Sequence, residues 1–328
     1  MSTRAEKLQD QVERRHRRLQ QIGEAQIEAA TERLNSIRSP TPLQVRTGFV
    51  YRPHDPAAVD YSDRRVPPPT ERPPATRLLS PRGSALRLEL IALGVAQRRK
   101  AGSEFKNDLP LAPGYTHGGS AAWAQLITTP AQYAGAGNVR ATPLTKRRRS
   151  LTDALDVLAN AGLVDYPRTG DDRGRREGFL LLDERATSPT DRLTYRVPTS
   201  KESTVLVPPG FLHKGWVHVL EDSEIALLLM VMCGLGKLPD SEGWVAIPAG
   251  ERLLNYGLSR DAFSAAHPVL REMGLLEVQS VGRHSDGRVI DFRSEGPSLH
   301  RLKLVPEAFE EKAYDFALEA LDRIRAEC

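Results

Sequence analysis

The stretch that most limits what this chain can fold into is residues 142–182, which reads as a helix, a strand, a polar loop and a second strand. Thr142 can cap a helix that takes Pro143 in its first turn, and Leu151, Ala154, Leu158 and Ala161 then recur at helical spacing on one face. Gly162 supplies the stop. Residues 163–166 suit a strand, residues 169–176 are too polar and glycine-rich to be buried, and residues 179–182 give a returning strand, so the loop is a hairpin tip. Lys146, Arg147, Arg148 and Arg149 lie on the first turns of the helix, and Arg173, Arg175 and Arg176 lie at the tip. Positive charge at two separate places suits a nucleic acid backbone.

Placement carries that inference better than totals do. Across 328 residues, 46 Lys and Arg exceed 42 Asp and Glu by only +4. The length suits two compact domains with extensions. Cys233 and Cys328 are too few and too far apart for a disulfide framework or a four-ligand zinc site, so a reducing compartment and no metal or cofactor are expected. The N-terminus is charged and without an apolar signal segment, and the longest apolar run, residues 225–233, is far short of the roughly 20 residues that span a bilayer. A cytoplasmic, nucleoid-associated protein with no membrane partner is the expectation.

Residues 1–38 favour a long helix. Leu8, Val12, Leu19, Ile22 and Ala29 fall near heptad seam positions, interrupted by Arg15 and Gln26, so the helix either stays exposed, lies on the protein's own body, pairs with a second copy, or touches DNA through Arg14, Arg15, Arg17 and Arg18. Residues 39–79, with Pro67, Pro68, Pro69, Pro73 and Pro74, read as an extended linker or strap anchored by Val50 and Tyr51. A first domain then spans residues 80–200, starting with a helix capped by Ser80 at Pro81, and a second spans residues 201–305 around an apolar helix at 225–232. Residues 306–328 form a terminal helix with Phe309, Ala313, Phe316, Ala317, Leu321 and Ile324 on one stripe, an anchor or a self-association surface.

The second domain nearly repeats the first. At one constant offset Phe263 falls on Leu151, Ala266 on Ala154, Val269 on Val157, Leu270 on Leu158, Met273 on Ala161 and Gly274 on Gly162. The loop at 282–288, with Arg283 and Arg288, matches the first basic loop within one residue. Helix face, glycine stop and basic hairpin agree together, which points to an internal duplication.

Between the first helix and the long one, residues 121–127 with Trp123 read as a short apolar helix, followed by a turn of helix near Ala131, and this order of helix, helix, long helix and hairpin resembles the winged helix-turn-helix superfamily. The resemblance implies a mainly α fold with small β wings (α+β), two such domains in tandem, and a third helix in each that enters the major groove while the wing touches the backbone or minor groove. The reader helices would be residues 144–161 and 260–273. Their exposed candidates are Thr145, Lys146, Arg147, Arg148, Arg149, Thr152 and Asp153 in the first, and Arg260, Asp261, Ser264 and His267 in the second. Arg148 and Arg149 lead, because a guanidinium spans guanine O6 and N7 or holds a phosphate by two donors. Arg173, Arg175, Arg176, Arg283 and Arg288 fit wing contacts, with the more basic first domain doing most of the binding. Sequence-specific double-stranded DNA binding by a transcriptional regulator is the expected function. The alternatives are a plasmid or mobile-element replication or partition initiator, and a scaffold recognising protein or modified DNA. No zinc deaminase, phosphate-loop or nucleophile-elbow pattern is present, and a nuclease is the enzymatic alternative.

Overall fold

Gly23, at φ 77, splits the Arg- and Gln-rich N-terminus into two helices, α1 (Arg4–Ile22) and α2 (Glu24–Ile37). The computed structural model describes residues 4–54, 65–80, 83–113, 121–130, 142–167, 174–186, 192–238, 243–279 and 300–327. Val12, Leu19 and Ile22 of α1 are buried within the chain. The two polar residues that interrupt their seam are anchors: Arg15 is buried in an ion pair with Glu224, and the Gln26 amide exchanges hydrogen bonds with the Thr129 backbone at 3.0 and 2.8 Å. The N-terminal helices thus lie on the protein's own body.

The proline-rich segment is more structured than a linker. Its strand β1 (Leu43–Arg46) pairs antiparallel with β4 (Thr204–Val207), with Leu43 opposite Val207. Two single-turn helices follow, α3 (Thr47–Val50) and α4 (Pro74–Arg77). Phe49 and Val50 are buried, Tyr51 meets Tyr256 edge-on at 5.1 Å, and the Thr76 hydroxyl donates to the Tyr256 carbonyl at 2.8 Å. The segment is a strap, because its backbone groups find partners far along the chain.

Helix α5 (Ala85–Ala96) begins after Ser84, four residues later than Ser80 and Pro81 suggest, and is buried on every side. The long α6 (Pro143–Asn160) packs on it, and a 3-10 turn at Trp123–Gln125 packs on α6 and α2. Trp123 packs against Phe179 at 5.1 Å, and its indole N–H donates to Asn107 at 2.9 Å, satisfying the polar atom of a buried ring. Strands β2 (Val164–Asp165) and β3 (Leu180–Leu181) pair antiparallel, and single bridges join Leu182 to Thr194 and Glu104 to Arg196. The turn of helix that the sequence suggests near Ala131 lies outside the described residues.

Two single-turn helices, α7 (Gly210–His213) and α8 (Trp216–Val219), lead to α9 (Asp222–Cys233), which is apolar and buried almost all round. Then come α10 (Ala249–Leu254), α11 (Arg260–Glu272), β5 (Leu276–Gln279) and β6 (Arg301–Leu304), with Leu276 opposite Leu304 and a bridge from Val245 to Leu302. The end is not one helix: a 3-10 segment, Pro306–Glu310, precedes α12 (Ala313–Glu327), which packs on α1 and α11. The result is an α+β protein, mostly helical, whose buried apolar residues form one continuous core from Val12 to Ile324. Among the described residues no helix is long and apolar enough to cross a membrane.

The repeat is present in the backbone itself. At the end of α6 the N–H groups of Ala161, Gly162 and Leu163 donate to the carbonyls of Val157, Ala159 and Leu158; at the end of α11 those of Met273, Gly274 and Leu275 donate to Val269, Arg271 and Leu270. Both are Schellman stops, and β2 and β5 start at equivalent places. One aligned pair differs. Val269 is 2% exposed because α12 covers that flank of α11, whereas Val157 is 46% exposed.

Candidate nucleic-acid interface

Helix α6 starts as its sequence dictates, with the Thr142 hydroxyl accepting the Thr145 N–H at 3.2 Å and Pro143 at the first helical position. Full burial begins only at Leu151, so the first two turns extend beyond the apolar stripe. Arg148 and Arg149 are exposed, while Lys146 and Arg147 are half-buried. At about 100° per residue, Lys146 and Arg149 share the outward face with Asp153 and Asp156, Arg147 lies in line with the buried stripe one turn before Leu151, and Arg148 flanks it. The Arg147 Nε is buried without a hydrogen-bond partner, and burial holds this guanidinium below its ordinary range. It is the least available of the four cations. The half-buried Thr152 donates its hydroxyl to the Arg149 carbonyl at 2.8 Å and so is tied to its own helix.

The hairpin returns its arginines to the same helix. Arg176 grips Asp156 with two donors, at 2.9 and 2.5 Å, and the Tyr166 hydroxyl donates to the same carboxylate at 2.9 Å. Arg175 lies 3.8 Å from Asp156, and both guanidiniums sit over the Tyr166 ring at 5.7 and 6.0 Å. The Arg176 hydrogen bond holds Asp156 below the usual carboxylate range, and burial followed by the Asp156 contact pushes the Tyr166 phenol up. The base of the loop is therefore locked onto the outward face of α6, joining its charge to that of Lys146 and Arg149. Arg173 lies outside the described residues. Between this face and the start of α5 runs a groove of about 360 Å³ bordered by Ser84, Ala85, Thr129, Lys146, Arg149 and Val157.

In the second module the Ser259 hydroxyl accepts the Ala262 N–H at 3.1 Å and opens α11. Arg260 is exposed and Ser264 half-buried. At the offset that places Gly274 on Gly162, Arg260 falls on Arg148 and Ser264 on Thr152. His267, expected on the exposed face, is buried: it stacks on Phe263 at 4.9 Å and its Nδ1 meets the Phe263 carbonyl at 2.8 Å. The neighbouring aromatic ring, contributed one turn earlier, turned it inward. Arg283 and Arg288 lie outside the described residues. Three cations escaped sequence reading. Arg252 stacks on Phe263 at 4.4 Å, and Arg301 and Lys303 lie over Trp244 at 5.5 and 5.8 Å. Alternation of Arg301 and Lys303 on one face of a strand was the available signal for the last two.

Among the described residues no three His, Cys, Asp or Glu side chains are grouped to hold a metal ion. Comparison with protein-family models, with curated protein sequences and with solved structures found no match to the chain.

Proposed function

We propose that the chain binds double-stranded DNA sequence-specifically through two winged helix-turn-helix modules and acts as a transcriptional regulator in the cytoplasm, on the nucleoid. In this reading the first module is α5, the 3-10 turn at Trp123–Gln125, α6 and the β2–β3 hairpin; the second is α9, α10, α11 and the β5–β6 hairpin, with α6 and α11 as readers. The observation that carries it is the convergence of Lys146, Arg149, Arg175 and Arg176 on one outward face of α6. Arg148 and Arg149 contact bases or phosphates, Lys146 and the wing arginines Arg173, Arg175 and Arg176 hold the backbone, and Arg260, Ser264, Arg283 and Arg288 serve the second module. Arg147 and Thr152 support the helix start.

A replication or partition initiator is the second reading. It is favoured by the continuous core that joins both modules in one chain, which lets a single molecule engage two neighbouring half-sites. Selection of bound duplexes from a random pool tests both. One enriched site upstream of a nearby gene supports the regulator, clustered repeats support the initiator, and a pool that stays random removes sequence-specific binding altogether.

A further inference from the structure

In the second module the junction between the start of α9 and the end of α11 is filled. Arg15 of α1 pairs with Glu224 in the first turn of α9 and reaches the Met273 sulfur at 3.9 Å, and Arg323 of α12 donates to the Glu272 carbonyl at 2.7 Å. Helices α1 and α12 therefore seal the flank on which Val269 is buried. The same junction in the first module is open. There the start of α5 and the end of α6 border the groove of about 360 Å³, with Ser84 and Ala85 on one wall and Ala154 and Val157 on the other. At the repeat offset Ala154 and Val157 fall on Ala266 and Val269, so the valine that is buried in one module stands exposed in the other.

An apolar wall along a helix favours the apolar face of a second helix. Charge narrows the choice further. Lys146 and Arg149 border the same groove, and cations on the first turns of a helix add to the positive end of its dipole, so carboxylates are favoured there; Asp153 offsets them only in part. Helix α12 has that chemistry: Ala317, Ala320, Leu321 and Ile324 are its buried stripe, and Asp315, Glu319, Asp322 and Glu327 outnumber Arg323 and Arg325. We infer that the α5–α6 groove is a docking site for an acidic amphipathic helix of a partner protein, the counterpart of the α12 contact in the second module. The helix comes from another protein rather than from a second copy, whose α12 is already committed to its own α1 and α11. The groove and its covered counterpart carry this inference without reference to DNA; a helix seated there would exclude a duplex from Lys146 and Arg149.

The test takes the full chain and, as probe, a fluorescent synthetic peptide of residues 313–327, read by anisotropy. The peptide should bind, and Val157→Glu should weaken it at least about tenfold, since the change removes apolar contact and sets a carboxylate against an acidic ligand. Reversing a rim charge in Arg149→Glu should weaken it about threefold or more. Both positions are exposed, so both variants should keep the wild-type melting temperature and helical spectrum. A scrambled peptide of the same composition should not bind. Absence of binding up to about 1 mM overturns the proposal. Equal binding by the wild type and Val157→Glu also overturns it, because the peptide then replaces the chain's own α12 or seats elsewhere. Sedimentation of the chain alone covers the remaining occupant: a dimer that Val157→Glu dissolves assigns the groove to a second copy and overturns the partner helix.

Discussion

Gly162 and Gly274 close α6 and α11 in the same left-handed conformation, at φ 75 and 70, and inside the same set of three backbone hydrogen bonds. The angle at which each chain leaves its helix sets where the following strand runs. Each hairpin is therefore aimed from the same starting geometry relative to the helix before it.

Gly274→Ala should destabilise the protein by about 1 kcal/mol, since an added Cβ would meet no atom within 4 Å and only the backbone conformation resists it. Gly274→Asn should cost less, because asparagine tolerates this region. Urea denaturation of the two variants checks the order; an alanine variant as stable as the wild type would show that the left-handed stop is dispensable.

Arg15 and Glu224 join the N-terminal helix to α9 from 209 residues apart, with both side chains buried. Arg15→Leu or Glu224→Gln should each cost about 3–5 kcal/mol, because one charge or one polar partner is stranded, while Arg15→Met with Glu224→Leu should recover most of that loss. The same denaturation measurement applies. Single variants within about 0.5 kcal/mol of the wild type would mean that α1 is held by its apolar contacts alone.

Glu89 is fully buried in α5 and neither of its oxygens has a hydrogen-bond partner. Burial, then the nearby Glu184, push its carboxyl well above the usual range. The folded-state pKa exceeds the unfolded one, so the group's contribution to stability is complete below the ordinary Glu range and is lost as pH rises through the raised value. Burial likewise lifts Glu184 to about 6, despite Arg46, and adds a loss in the same direction. Glu89→Met should therefore gain stability, by about 1–3 kcal/mol at neutral pH, and flatten the decline at higher pH. Melting temperatures between about pH 5 and 9 would show it, and a variant that tracks the wild type at a constant offset would contradict the assignment.

Asp156 puts negative charge on the outward face of α6, partly offset by Arg176 and Arg175. Its pKa is depressed, so the clamp's contribution to stability is present above the ordinary carboxylate range and is lost as pH falls through the depressed value. Asp156→Asn should cost less than about 1 kcal/mol, since the carboxylate is over a third exposed, and should tighten duplex binding by roughly threefold. Weaker binding by the variant would mean that the clamp orients the wing more than it opposes the ligand.

What was legible in the sequence was local. Thr142, Pro143, the Leu151, Ala154 and Leu158 face and Gly162 act within one helix, and their counterparts from Ser259 to Gly274 repeat the pattern. What was hidden depended on distant partners. Arg15 and Gln26 read as flaws in a seam because Glu224 and Thr129 are remote in sequence, and β1 is concealed among prolines until β4 supplies its partner. Among the candidate site residues, Arg148, Arg149 and Arg260 are exposed as helical position implies. The pairing of Arg176 with Asp156 and the stacking of Arg252 on Phe263 arise from side-chain packing that no local pattern encodes, whereas the inward turn of His267 was legible in its spacing from Phe263.

The central claim is that α6 meets DNA through the exposed arginines of its first turns. Its most direct test is an anisotropy titration of Arg148→Ala/Arg149→Ala against the wild type, on a duplex enriched by the wild type and across a salt series. The double variant should fold with an unchanged helical spectrum, bind at least about tenfold more weakly at low salt, and lose about 1–2 from its log–log salt slope. Equal affinity with an equal slope would contradict the claim.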